Sequence, residues 1–255
     1  NRSDKGGEFC VVKEEEYDIA AQNHLNDLST YKPINHIAPK TIENKINKIW
    51  KDSANSINLP KRIIQQYTSN NSELPNIYFL VKTHKDNSHN LNMRPIVAMN
   101  NAPGKELQWL ITQLLKPLLK KVPAHLESSD ELMSEINKIP EDIKKAHPYP
   151  FSLDVVVLYP SIPIKDSLDN LKNILVEHHF NYHGITPDIL INILSVIMEN
   201  CFLTYKNNIY KQTKGLPMGT RISPILAILF MGTIEKQLLI HISHTTNSTL
   251  ENICR

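Results

Sequence analysis

Phe151-Ser-Leu-Asp-Val-Val-Val-Leu-Tyr-Pro160 sets one carboxylate, Asp154, inside an apolar, β-branched run. A run of that composition predicts a strand over residues 151–158. Burying an unpaired carboxylate is costly, so an aspartate there belongs at a strand end, beside a cation or on a metal ion. Tyr159 stands five residues further on, and downstream lies Gln212-Thr-Lys-Gly-Leu-Pro-Met-Gly-Thr-Arg-Ile-Ser-Pro224. In that second stretch Gly215 and Gly219 bracket a turn, because glycine admits backbone conformations and close approaches that a side chain forbids.

Outward from these stretches the pattern alternates between helix and strand, which predicts a mixed α/β (α+β) fold. On the N-terminal side, Ile77-Tyr-Phe-Leu-Val81 and Arg94-Pro-Ile-Val-Ala98 read as two strands of a hairpin with a basic loop end. Pro103 opens a helix whose apolar face is Leu107, Leu110, Ile111, Leu114, Leu115 and Leu118, with Trp109 in the core and Pro117 kinking or ending it. An acidic helix is expected over 129–138, and amphipathic helices over 166–179 and 187–200, the last capped by Thr186 with Pro187 in its first turn. A second hairpin is expected over 201–212 with its turn at Asn207-Asn208. A long buried helix from Ile222 then leads to the Ser/Thr/Asn segment 243–249, and the last residues, Ile253-Cys-Arg255, look like another strand beginning. Residues 17–66 are polar, with helical spacing at Ile42, Ile46 and Ile49 and breaks at Pro33, Pro39 and Pro60; they read as scaffold.

The composition, with 41% hydrophobic residues, seven glycines and a formal charge of +2 over 255 residues, excludes disordered and fibrous classes. The longest apolar stretch falls far short of the roughly 20 residues that span a bilayer, so no membrane partner is expected. Three cysteines without Cys-x-x-Cys spacing predict reduced, buried thiols and an intracellular setting. Charge is unevenly spread: residues 76–125 carry seven basic and two acidic side chains, 126–200 five and twelve, and 201–255 six and two. Basic stretches flanking an acidic centre suit a polyanion held beside metal.

Ordered blocks across nearly the whole chain resemble reverse transcriptases, and among them the Penelope-like retroelement type related to telomerase catalytic subunits. The blocks are Asp4-Lys-Gly6, Tyr31-Lys-Pro33, residues 78–85, Arg94-Pro-Ile96, residues 153–163, residues 210–224 and Leu229-Phe-Met-Gly-Thr-Ile-Glu235. The resemblance implies a right-hand polymerase with an N-terminal helical extension at 1–75, fingers at 76–150 and a partial palm at 151–255. It implies an RNA-directed DNA polymerase, acting in the nucleus, that extends a primer on an RNA or DNA template with dNTPs. Two Mg²⁺ ions roughly 4 Å apart would carry the chemistry, one of them held by Asp154 and the backbone carbonyl of Val155.

The same resemblance gives Lys82 and Arg94 the triphosphate. Tyr159 would lie under the sugar, where its ring would exclude a 2′-hydroxyl; the lesser alternative is a core tyrosine packed beside Pro160. Met218 and Gly219 would floor the base pair. His84, Lys85, Lys214 and Arg221 are weaker candidates for nucleic-acid contacts. Val81-Lys82 stands where Pro-Lys is common in the family, and Thr220-Arg221 where Ser-Pro is frequent.

The family's adjacent Asp-Asp pair, which supplies the remaining metal carboxylates, occurs nowhere in the sequence. The expectation is a chain that stops one or two residues before that pair, without thumb or endonuclease, and that is inactive as it stands. The alternative is a retroelement relic that binds nucleic acid without polymerising.

Overall fold

In the computed structural model the described residues are 2–84, 91–146 and 152–246. They form a five-stranded sheet covered on one face by a helix and continuous with a bundle of longer helices. The sheet order is β1 (Tyr31–Ile34), β5 (Asn208–Gln212), β4 (Phe202–Tyr205), β2 (Asn76–Val81), β3 (Met93–Ala98). All neighbours are antiparallel except β2 and β4, which run parallel and meet only at Asn76 and Thr204. Each edge strand carries a proline, Pro33 in β1 and Pro95 in β3. A missing N–H is tolerated at a sheet edge and blunts it against further pairing. Pro33 therefore lies within a strand, where a break in the chain was expected.

Both expected hairpins are present. β2 and β3 pair from Asn76↔Ala98 to Val81↔Met93. In the β4–β5 hairpin Tyr205 faces Asn208, so the turn is Lys206-Asn207, one residue earlier than expected, and Lys206 takes the positive φ of 52°. Lys206 also reaches Asp18 across the hairpin end, which gives a reason for a lysine there.

Helix α1 (Glu14–Leu25) packs Ala21 and Leu25 onto the sheet face formed by Tyr31, Ile77, Phe79, Val97, Leu203, Tyr205 and Tyr210. Where β2 and β4 diverge, the backbone of β2 would be left unpaired, and α1 fills part of the gap. The Phe79 N–H donates to the Tyr17 hydroxyl at 2.8 Å, and that hydroxyl donates to the Phe79 carbonyl at 3.2 Å. One side chain thus stands in for a missing rung of the ladder.

The larger core joins α2 (Pro39–Ser56), α4 (Lys105–Leu119), α8 (Ile164–Glu177), α9 (Pro187–Glu199) and α10 (Ser223–Thr246); the short α3 (Lys61–Gln66), α5 (Ser129–Lys138), α6 (Glu141–Ala146) and α7 (Leu158–Ser161) lie between them in the chain. The Thr186 hydroxyl accepts from the Ile189 N–H at the start of α9, the expected cap. Pro117 lies inside α4, whose last residue is Leu119. Trp109 is exposed and not core; it stacks on Tyr67 with centroids 6.3 Å apart. It falls between the buried positions Gln108 and Ile111, on the flank of the apolar stripe. α10 is buried through Leu229 only, and Ile234 and Leu238 are exposed. The helix continues through Ser243 to Thr246, so the polar segment expected after it begins inside it. Cys10 and Cys201 are half-buried and not joined in a disulfide, and burial pushes the Cys201 thiol up to about 12. The expected strand at 253–255 lies outside the described residues.

Candidate functional site

The stretch around Asp154 is not a strand. Residues 152–155 are irregular, Val156-Val157 turn, and Leu158–Ser161 is one helical turn. A β-branched run becomes a strand only where a neighbouring strand supplies the ladder, and among the described residues none lies beside it. Leu153 and Val156 are accordingly more than 80% exposed. Val157 closes the turn at φ 55°, ψ 49°, a left-handed conformation that costs a β-branched residue about 1–2 kcal/mol. The Ser161 N–H and hydroxyl both bind its carbonyl, at 3.2 and 2.8 Å. This turn swings Tyr159-Pro160 inward.

The Gly-rich segment receives it. The Leu216 N–H donates to the Tyr159 carbonyl at 2.8 Å. Gly215, at φ +74°, lies so close to Pro160 that a Cβ would stand 2.5 Å from its Cα. Gly219 lies against β3, where a Cβ would stand 2.1 Å from the Val97 carbonyl oxygen, and the Val97 N–H donates to the Met218 carbonyl at 2.8 Å. Both glycines are therefore required by packing of the chain on itself, a close approach of the kind that glycine at those positions implies. The Thr220 hydroxyl accepts from the Ser223 N–H at 3.1 Å and so fixes the entry to α10.

These contacts form one seam. Tyr159 is half-buried at a pocket of about 210 Å³ lined also by His125, Leu126, Ala227, Met231 and Glu235. Met218 and Gly219 touch β3 at Val97, and Arg94 lies three residues back on that strand, opposite Leu80. Arg94 lies 3.1 Å from Asp4, a buried carboxylate at the N-terminal end of the chain. Lys82 follows β2 at the same end of the hairpin, its N–H bound to the Asn92 carbonyl at 2.8 Å. Its positive charge adds to burial in holding the His24 imidazole below its ordinary value.

Asp154 is exposed. Among the described residues no three His, Cys, Asp or Glu side chains converge on a point where a metal could sit. Asp154 and the Val155 carbonyl are candidate oxygen donors of the kind Mg²⁺ takes, and among the described residues no group of three metal-ligating side chains includes Asp154. His84 and Arg221 are exposed. Lys85 lies outside the described residues. Lys214 lines an open groove of about 610 Å³ with Lys165 and Lys211. Sequence reading singled out the block containing Asp4 but gave Asp4 no role, because its partner is remote in the chain. Tyr17 was missed altogether, since nothing in its spacing betrays a bond to strand backbone.

Residues 83–250 match the family model described as reverse transcriptase (RNA-dependent DNA polymerase). The chain belongs to the reverse transcriptase family. No curated protein matches it. The structure of apo telomerase from Candida tropicalis, truncated from its C-terminal domain, has a similar fold, with a TM-score of 0.57 at 11% identity. That likeness covers 94% of this reverse transcriptase chain and 48% of the telomerase chain, so the chain spans about half the length of the structure it matches.

Proposed function

We propose that residues 76–150 are the fingers and 151–255 a partial palm of an RNA-directed DNA polymerase of Penelope-like type, preceded by a helical extension at 1–75. The observation that carries this reading is the seam at which β3, the Tyr159 turn and the segment 215–219 meet inside the family match. Arg94 and Lys82 take the triphosphate of a dNTP, Tyr159 faces the sugar, and Met218-Gly219 support the base pair. The basic stretches hold a primer–template duplex through its phosphates.

Among the described residues no group of three metal-ligating side chains forms, so no catalytic step is assigned to them. The sequence holds no adjacent Asp-Asp pair, and on that ground the 255-residue chain is read as one that does not by itself extend a primer. Primer extension on homopolymer templates with Mg²⁺ tests this directly: any extension overturns it. The incomplete carboxylate set together with the basic stretches also supports a second reading, a nucleic-acid-binding relic without nucleotide recognition. Nucleotide binding separates the two. The polymerase reading expects dGTP to bind more tightly than GTP, with Tyr159→Ala abolishing the preference. Salt-dependent binding of primer–template without either nucleotide would instead establish the relic.

A further inference from the structure

The N-terminal segment ahead of α1 is threaded into the five-stranded sheet, where the divergence of β2 and β4 leaves room. Ser3 pairs with Val81 in parallel register, and the Asp4 N–H donates to the Val81 carbonyl at 2.8 Å. Arg2 and Phe9 pair antiparallel behind it, closing a loop over residues 3–8, and the Ser3 N–H binds the Glu8 carbonyl at 2.8 Å. The Asp4 backbone is therefore fixed to the last residue of β2. Its side chain is only 1% exposed and lies 3.1 Å, Oδ1 to Nη1, from Arg94, whose own side chain is 41% exposed. Neither Asp4 oxygen accepts an aligned hydrogen bond from any described residue. The contact is a charge pair, and a buried carboxylate without hydrogen bonds persists only because that charge is beside it.

We infer that Asp4 is a positioning residue for the Arg94 guanidinium. It holds one terminal nitrogen from the buried side and leaves the other donors of the fork to face solvent, where they can grip phosphate oxygens. A guanidinium already held in place loses less freedom on binding an anion than one on a mobile side chain. Arg94 lies three residues before Val97 on the strand that carries the seam, so β3 sets the spacing of triphosphate grip and base-pair floor while Asp4 orients the guanidinium at one end of it. The N-terminal loop thereby becomes part of the nucleotide site, although the family match begins only at residue 83. This inference rests on the reading that Arg94 contacts the triphosphate.

The test compares binding of dGTP and dGMP to the 255-residue chain by fluorescence titration, reading the ratio of the two affinities. A fold defect shifts both nucleotides, while loss of a triphosphate grip shifts only dGTP. Arg94→Lys is expected to collapse the ratio. Asp4→Asn, of the same shape but uncharged, is expected to lower it about tenfold, the size of coupling between contacting charged residues. Asp4→Glu is expected to restore part of it, and Asp4→Asn in the Arg94→Lys background to change nothing further. If Arg94→Lys lowers the ratio and Asp4→Asn leaves it unchanged or raises it, the positioning role is overturned. If Arg94→Lys leaves it unchanged, the assignment of Arg94 to the triphosphate fails instead.

Discussion

At the scale of single residues, close backbone approaches decide more than side-chain chemistry. Gly215 and Gly219 both have positive φ, and each faces backbone atoms, of Pro160 and Val97, that cannot move aside independently. Gly215→Ala and Gly219→Ala are each expected to destabilise the chain by about 3 kcal/mol or more, from overpacking added to conformational strain. Urea denaturation measures this, with Gly7→Ala as control because nothing lies within 4 Å of its would-be Cβ. Equal losses at all three would show that the seam is not as tight as described. Val157 presents the opposite case, an exposed β-branched residue held at φ 55°. Val157→Gly should raise stability by about 1 kcal/mol by relieving that conformation, with little burial lost. Destabilisation in the same urea experiment would mean that the Val157 side chain holds the turn.

Between elements, charged clasps hold the sheet and α1 together. Asp18 on α1 accepts hydrogen bonds from Lys206 and from the Tyr205 hydroxyl, and these hold its carboxyl below its ordinary 3.8. A depressed carboxylate contributes stability that is present above the unfolded value and lost as pH falls through the folded one. His24, packed against Tyr31 and Phe79, is lowered by burial, so its neutral form is favoured in the fold. Its contribution is present above the ordinary 6.5 and lost as pH falls from there through the folded value. Melting temperature should therefore decline in two steps on acidification. His24→Gln should remove the upper step and Asp18→Asn the lower, and a profile that either variant leaves unaltered refutes its assignment. On the other sheet edge, Lys32 stands directly opposite Lys211, which also lies over the Phe202 ring at 5.6 Å. Like charges in that relation are unfavourable. Lys32→Thr should gain about 0.3 kcal/mol at low salt, and the gain should vanish as salt screens the pair. If this face holds nucleic acid, the same change should lower the salt slope of binding by about one phosphate contact.

Across the whole molecule, the legible parts of the sequence were those whose structure is local. Helical periodicity at Ile42 and Ile46 and at Leu107, Ile111 and Leu115 matches buried stripes, although Ile49 is only half-buried and the stripe of α2 continues through Trp50, and the alternation of Ile77, Phe79 and Val81 matches the buried face of β2. The run at 151–158 misled because a strand is a property of two segments, and the described residues put no second segment beside it. The Asp4–Arg94 pair and the Tyr17 rung were illegible for the same reason: each depends on chain segments brought together only by the fold. Asp154 shows the consequence for chemistry: it is an exposed carboxylate of the type that ligates metals, and among the described residues no group of three such side chains forms around it. Binding to the folded state raises stability in proportion to the logarithm of ligand concentration over Kd, so a complete site occupied far above its Kd would lift the melting temperature by several degrees. A lone carboxylate binds Mg²⁺ too weakly for that. The melting temperature of the 255-residue chain should accordingly be the same in Mg²⁺ and in EDTA at matched ionic strength, and Asp154→Asn should not alter the comparison. A rise of several degrees in Mg²⁺ that Asp154→Asn abolishes would mean that further carboxylates do converge on Asp154 and that the chain carries a complete metal site.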